Sequence, residues 1–314
     1  MNRRALIASL LLAAAAGCRK REPTSPNGIP TVVLVMKSLA NEFFKTMEEG
    51  ARRHHAQRPT EYRLLANGIK DEQDVGRQID LVGQMVAQGV DALVLAPADS
   101  KALVSALKRA ADAGVVVMNI DNKLDAAVLA EKGLAVPFVG PDNRKGARLA
   151  GAYLASTLGR GAKVALIEGL PTADNAVQRR LGFEDAIKEG GLELVASQAG
   201  NWEMSRANQV AAALLTAHPD LRGLLCANDS MALGAVAALK AAGRTGTVRV
   251  VGFDNISAVQ GLVRSGDMLA TVEQHAGDLA AFGIDYALEI LRTRAAPADR
   301  ETPVDLVTAR TLAT

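Results

Sequence analysis

The chain has 314 residues, of which 49% are apolar, enough for substantial buried cores, and its 36 basic and 34 acidic residues leave a formal charge of only +2. That balance does not favour nucleic acid, which wants a basic face.

Residues 1–17 read as an export signal. Arg3 and Arg4 form a short basic region, and Ala5 to Gly17 is an apolar run of signal-core length, too short to span a bilayer stably. The run ends in Ala15-Ala16-Gly17-Cys18, small residues before a Cys that resemble a bacterial lipobox with Cys18 as the lipidated N-terminus. Ala15 stands where Leu is commonest, and an ordinary cleaved signal with an incidental Cys is the alternative. Residues 18–30 are charged, then rich in Pro, Ser, Asn and Gly, and read as a flexible tether. With Cys18 acylated no disulfide is possible, and Cys226 reads as a small core residue. No later run is long and apolar enough to cross a membrane. Losing the leader removes Arg3 and Arg4 and no acid, which equalises basic and acidic residues.

From Thr31 onward, short β-branched runs alternate with helical patterns. Strands are expected at Thr31–Met36, Glu61–Ala66, Asp91–Ala96 and Val115–Ile120, with helices over Asn41–Gln57, Asp71–Gln88 and Ser100–Ala113 between them. The pattern then restarts. Strands are expected at Lys163–Glu168, Leu192–Ser197, Arg222–Ala227, Val248–Gly252 and Leu269–Glu273, with helices over Asn175–Glu189, Met204–Ala217 and Ser230–Ala242. The spacing is that of successive βαβ units, so each half predicts a parallel sheet. Gly89, Gly114, Gly190-Gly191 and Gly243 follow helices, where a left-handed residue is favoured. Two such sheets leave a cleft between them, and ligands bind outside the carboxyl ends of the strands.

Those ends are polar and planar. In the first half they carry Lys37, Asn41, Phe43 and Phe44, then Asp99, then Asp121 and Asn122. In the second half they carry Asn175 with Arg179 and Arg180, then Asn201-Trp202, Asn228-Asp229, Asp254-Asn255 and Gln274. The chain has one Trp, six Phe and three Tyr, and it spends the Trp and two adjacent Phe here. Amides, carboxylates and a guanidinium can each pair with a sugar hydroxyl, which both donates and accepts, and aromatic faces cover the C–H face of a sugar ring.

Each residue also has a plainer reading. One of Phe43 and Phe44 is expected in the core whatever the function. Asp71, Ser100, Asp229 and Ser230 read as helix caps. Lys37 ends an apolar strand in a charge, which needs partners if it is buried. Asp121 is the nearest plausible carboxylate if the two strands sit close; otherwise Lys37 reaches solvent. His54, His55, His218 and His275 form no ligand spacing, and no metal site, cofactor or catalytic motif is expected.

The segments Val35-Met36-Lys37-Ser38-Leu39-Ala40-Asn41-Glu42-Phe43-Phe44, Asn119-Ile120-Asp121, Gln178-Arg179-Arg180-Leu181-Gly182-Phe183, Ala227-Asn228-Asp229-Ser230 and Val250-Val251-Gly252-Phe253-Asp254 resemble the ribose/galactose/allose group of periplasmic binding proteins. These are soluble receptors of ABC-type sugar importers. The resemblance implies sugar contacts at Asn41, Phe43 or Phe44, Asp121, Trp202, Asn228, Asp254 and Gln274, with Arg179 the candidate arginine. Compared with the ribose receptors, Lys37 replaces a Ser, Asn122 replaces an Arg, and Val177 stands where their ligand Arg does. The allose receptors are the nearer likeness, so an aldohexose is expected, with ribose or a polyol as alternatives.

The resemblance also implies the fold: two Rossmann-like α/β lobes with parallel sheets, joined by three hinge segments near Phe138–Asp142, Glu273–Ala276 and Pro303–Leu306. One lobe would comprise residues 31–141 plus 275–304, the other 142–274 plus 305–314. A monomer delivering one monosaccharide to an ABC permease and its ATPase is implied, in the periplasm or on the outer cell-membrane surface. It would touch the membrane through its lipid anchor only. A receptor for a chemotaxis or kinase sensor is the alternative. A sugar-responsive repressor of the same fold would need a helix-turn-helix where the leader and tether stand.

Overall fold

Val32 to Met36 have no accessible surface; such an unbroken β-branched run belongs at the centre of a sheet covered on both faces. It forms β1 (Thr31–Ser38) of a computed structural model that describes residues 28–295 and 297–313. The expected signal, most of the tether and the Cys18 lipidation site lie outside the described residues.

After β1 come α1 (Glu42–Gln57), β2 (Arg63–Ile69), α2 (Val75–Ala87), β3 (Ala92–Leu95), α3 (Val104–Asp112), β4 (Val116–Ile120), α4 (Ala126–Glu131) and β5 (Phe138–Pro141). A second α/β unit follows: α5 (Asn143–Thr157), β6 (Lys163–Glu168), α6 (Asp174–Gly190), β7 (Glu193–Ala199), α7 (Met204–Ala217), β8 (Gly223–Cys226), α8 (Asp229–Ala241), β9 (Arg249–Val251), α9 (Ser257–Ser265) and β10 (Ala270–Glu273). Helix α10 (Ala276–Thr293) and β11 (Arg300–Thr302) return to the first unit, and β12 (Asp305–Thr308) ends on the second.

The sheets run β2-β1-β3-β4-β5-β11 and β7-β6-β8-β9-β10-β12. Leaving aside the last strand of each, the two lobes repeat one doubly wound order, and that order places a ligand crevice at the carboxyl ends of the central strands. The expectation of parallel sheets fails at one strand: β12 pairs antiparallel with β10. The short turn after β11 carries the chain from the first sheet to the second. The other passages between sheets lie at 141–143 and 273–276.

Two helices start later than the sequence pattern suggests. Asp71 Oδ1 accepts from Gln73 N at 2.7 Å, closing a short turn, and α2 begins after Asp74, whose side chain accepts from Arg77 N. Asp99 Oδ1 accepts from both Lys101 N and Ala102 N at 2.7 Å. Polar side chains that bond their own backbone delay helix entry in this way.

Helix α10 closes the first lobe. Its Gly283 leaves no room for a Cβ against Val94 and Ile120, and a Cβ on Gly50 of α1 would run into the backbone of Gly277. In the second lobe Cys226 is fully buried, and burial pushes its thiol pKa up, so it is an inert core residue.

Candidate functional site

The carboxyl ends of the two sheets face each other across a cavity lined by Lys37, Asn41, Phe43, Phe44, Glu72, Asp121, Asn175, Arg179, Trp202, Asn228, Asp254 and Gln274. The space between these side chains is small, about 220 Å³ in all. Of the polar and aromatic residues expected at the strand ends, Asp99, Asn122, Arg180, Asn201, Asp229 and Asn255 do not line it. Asn122 is fully buried and turned away: its Nδ2 donates to Pro97 O at 2.8 Å and its Oδ1 accepts from Asn175 N at 3.1 Å. That position fits a lobe-bridging group rather than a wall of the cavity.

Lys37 does not reach solvent. It is 2% exposed, with Nζ 3.0 Å from Asp121 Oδ2 and 3.3 Å from Glu72 Oε2. Its ammonium lies 5.4 Å from the Phe44 ring centroid and 5.9 Å from that of Trp202. Burial opposes its charge, but Asp121 and Glu72 outweigh burial and hold its pKa above the ordinary lysine value. Burial also pushes the Glu72 carboxyl up, against the pull of Lys37.

Arg179, one turn into α6, is anchored at the opposite wall. Its Nε donates to Asn143 Oδ1 at 2.8 Å, and its Nη1 donates to Ala227 O at 2.8 Å and to Asp254 Oδ1 at 3.3 Å. The guanidinium lies over the Phe253 ring, 3.7 Å from its centroid. Asp254 Oδ1 also accepts from Gln274 Nε2 at 2.7 Å. Burial pushes the Asp254 carboxyl up to about 7, with Arg179 pulling the other way.

Asn41 and Asn228 do two jobs. Each caps a helix, Asn41 Oδ1 accepting from Phe43 N at 3.0 Å and Asn228 Oδ1 from Met231 N at 2.9 Å, and each also lines the cavity. Asp229 stands behind the wall, accepting from Thr271 Oγ1 and Ile256 N. Arg180 points away from the cavity and pairs with Glu184 and Glu168.

Local backbone strain aims several of these groups. Asp121, Trp202 and Asp254 all have positive φ, at 64°, 68° and 115°, which for non-glycine residues costs on the order of 1–3 kcal/mol each. The Trp202 indole lies against Gly169, where any Cβ would collide with it. Three buried polar atoms of the lining have no protein partner: Trp202 Nε1, Asn175 Oδ1 and Gln274 Oε1. A donor and two acceptors thus point at one enclosed space, beside two cations and three carboxylates.

Glu72 is the lining residue that the sequence pattern missed. The expected strand ended at Ala66, whereas β2 runs to Ile69; with the longer strand, Glu72 falls at a carboxyl end like the others. Among the described residues no cluster of His, Cys, Asp or Glu is arranged to hold a metal, and no helix is long and apolar enough to cross a membrane.

The chain matches the periplasmic binding protein domain over residues 32–295. It is 55% identical over 284 residues, 89% of either chain, to a D-ribose/D-allose-binding protein of Pseudomonas aeruginosa. Its fold superposes with a TM-score of 0.88 on an ABC transporter solute binding protein of Burkholderia multivorans, 54% identical over 89% of this chain and 99% of that one. A periplasmic solute binding protein of Actinobacillus succinogenes with bound D-allose superposes at 0.86, with 34% identity over 90% of this chain and 99% of its own.

Proposed function

This chain belongs to the periplasmic binding protein domain family, and on that premise we propose that it binds one monosaccharide of the ribose/allose type between its lobes and presents it to an ABC importer. The observation that carries the reading is the set of unpartnered buried atoms, Trp202 Nε1, Asn175 Oδ1 and Gln274 Oε1, converging on one small cavity. Buried polar groups are costly unless paired. A sugar hydroxyl gives one proton and accepts two, so a polyhydroxylated ring can satisfy all three and still bond Lys37, Arg179, Asp121 and Asp254. Phe43, Phe44 and Trp202 offer apolar faces to the ring C–H groups.

D-allose and D-ribose are the leading ligands, since the Pseudomonas relative is named for both and the Actinobacillus neighbour holds D-allose. Lys37 favours the hexose. Asp121 and Glu72 hold the ammonium as ion pairs, and of its three protons one can bond an exocyclic oxygen that a pentose lacks. Ligand would stabilise the closed arrangement by bonding both lobes at once, with the passages at 141–143, 273–276 and 302–305 as hinges. Export, lipidation at Cys18 and delivery by a monomer to a permease with its ATPase complete the reading.

Calorimetry of the mature protein with D-allose, D-ribose and myo-inositol tests it. D-allose is expected to bind most tightly and, at about 100 times its dissociation constant, to stabilise the fold by about 2.7 kcal/mol. Compaction in small-angle scattering is expected to accompany binding. No binding by any of the three would overturn the reading.

A further inference from the structure

Helices α6 and α9 of the second lobe begin without caps of their own. Ala173 and Ile256 occupy their N-cap positions, and neither supplies a side-chain hydrogen bond. The N-cap residues of α3, α7 and α10 also supply none, whereas α1, α2, α4, α5 and α8 are each capped by a local Asn or Asp. The first-turn N–H groups of a helix need partners from outside it.

For α6 and α9 those partners come from the opposite lobe. Ser100 Oγ accepts from Asp174 N at 2.9 Å, and Asn122 Oδ1 accepts from Asn175 N at 3.1 Å. Ser100 Oγ in turn donates to Asn122 Oδ1 at 3.4 Å, and Asn122 is pinned by its bond to Pro97 O. Elsewhere between the lobes, Glu42 Oε1 accepts from Ser257 N, the first residue of α9, at 2.8 Å. A carboxylate there also meets the positive end of the helix dipole.

We propose that these caps supplied in trans are the latch that holds the lobes shut. The inference rests on the cavity being a ligand site that closes. Ser100 and Glu42 lie outside the lining and Asn122 is turned away from it, so the latch acts on closure and not on the ligand. A device of that kind scales the apparent affinity of every ligand by one factor, set by the fraction of closed protein. This gives Asn122 a role in closure in place of the sugar contact expected of it.

Calorimetry and stopped-flow binding of D-allose and D-ribose to mature Ser100→Ala, Glu42→Ala and Glu42→Gln proteins test the latch. Each Ala variant is expected to weaken both sugars by the same factor, roughly two- to tenfold, through faster dissociation. The ratio of the two affinities is expected to stay at its wild-type value, and Glu42→Gln, which keeps an acceptor oxygen, to recover most of the loss. Unchanged affinity in an Ala variant overturns that cap, and a loss that differs between the sugars overturns a role confined to closure. If neither sugar binds the wild type, the sugar reading falls on its own, and amide hydrogen exchange at Asp174, Asn175 and Ser257 decides the latch. Slow exchange that the Ala variants accelerate supports it; equal exchange overturns it.

Discussion

Lys37 Nζ lies 3.0 Å from Asp121 Oδ2, joining the ends of β1 and β4 across the intervening β3. With Glu72 it forms a buried group whose charges depend on one another. Breaking such a pair by removing one partner typically costs about 3–5 kcal/mol. Lys37→Met is therefore expected to lower the thermal midpoint of the ligand-free protein and to abolish measurable sugar binding. Lys37→Ser is expected to narrow the preference for D-allose over D-ribose. An unchanged affinity ratio in calorimetry would remove Lys37 from selectivity.

Asp254 should make stability depend on pH. Its carboxyl is pushed from 3.8 up to about 7, so between those values the folded chain holds a proton that the unfolded chain has released. The stability this group contributes is complete below that window and is lost as pH rises through about 7. Glu72 and Asp229 are shifted in the same direction. Asp254→Asn is expected to flatten the fall of the thermal midpoint across that window in ligand-free protein. An identical slope in wild type and variant would show that Asp254 titrates normally.

Trp202 combines an apolar face with an unpartnered Nε1. Trp202→Phe keeps most of the face and deletes the donor, leaving a ligand hydroxyl unpaired at a cost of about 1–3 kcal/mol. Sugar affinity is expected to drop by about five- to a hundredfold, with little change in the melting temperature of the ligand-free protein. Equal affinity by calorimetry would mean that Nε1 does not contact the ligand.

Gly169→Ala tests the same ring from behind. The added Cβ would occupy the place of the indole, so Trp202 must move into the cavity or out of it. Loss of binding with a retained far-UV circular dichroism spectrum is the expected result, and retained binding would show that the indole position is not critical.

Cys18→Ser tests the anchor. The mature protein is expected in the membrane fraction, and the variant either released or left as an unprocessed precursor. Membrane association that survives the substitution would rule out lipidation at this residue.

Much of this was legible in the sequence because strand ends carry their own signature. Lys37, Asp121, Asn228 and Asp254 each follow an apolar run directly, so period and position identify them together. The pairing of Lys37 with Asp121 followed from the cost of a lone buried charge. Glu72 was hidden because Asn67 and Gly68 resemble a turn, although β2 continues through them to Ile69. The direction of β12 was invisible for another reason: it pairs with β10, a strand some thirty residues earlier, and so depends on a partner distant in the chain. Asn122 and Ser100 had the composition of ligand and cap residues, but nothing local could say that the helix they cap lies in the other lobe.

The order of elements along the chain has a consequence for biogenesis. The second sheet receives β6 to β10 from one continuous stretch and lacks only its edge strand when α10 emerges. The first sheet, begun at β1, must wait for that helix to cover Val94 and Ile120. During vectorial export the lobe that starts first finishes last, and a nascent chain stalled before residue 276 leaves Val94 and Ile120 without the helix that covers them. Apolar surface exposed in such an interval favours aggregation.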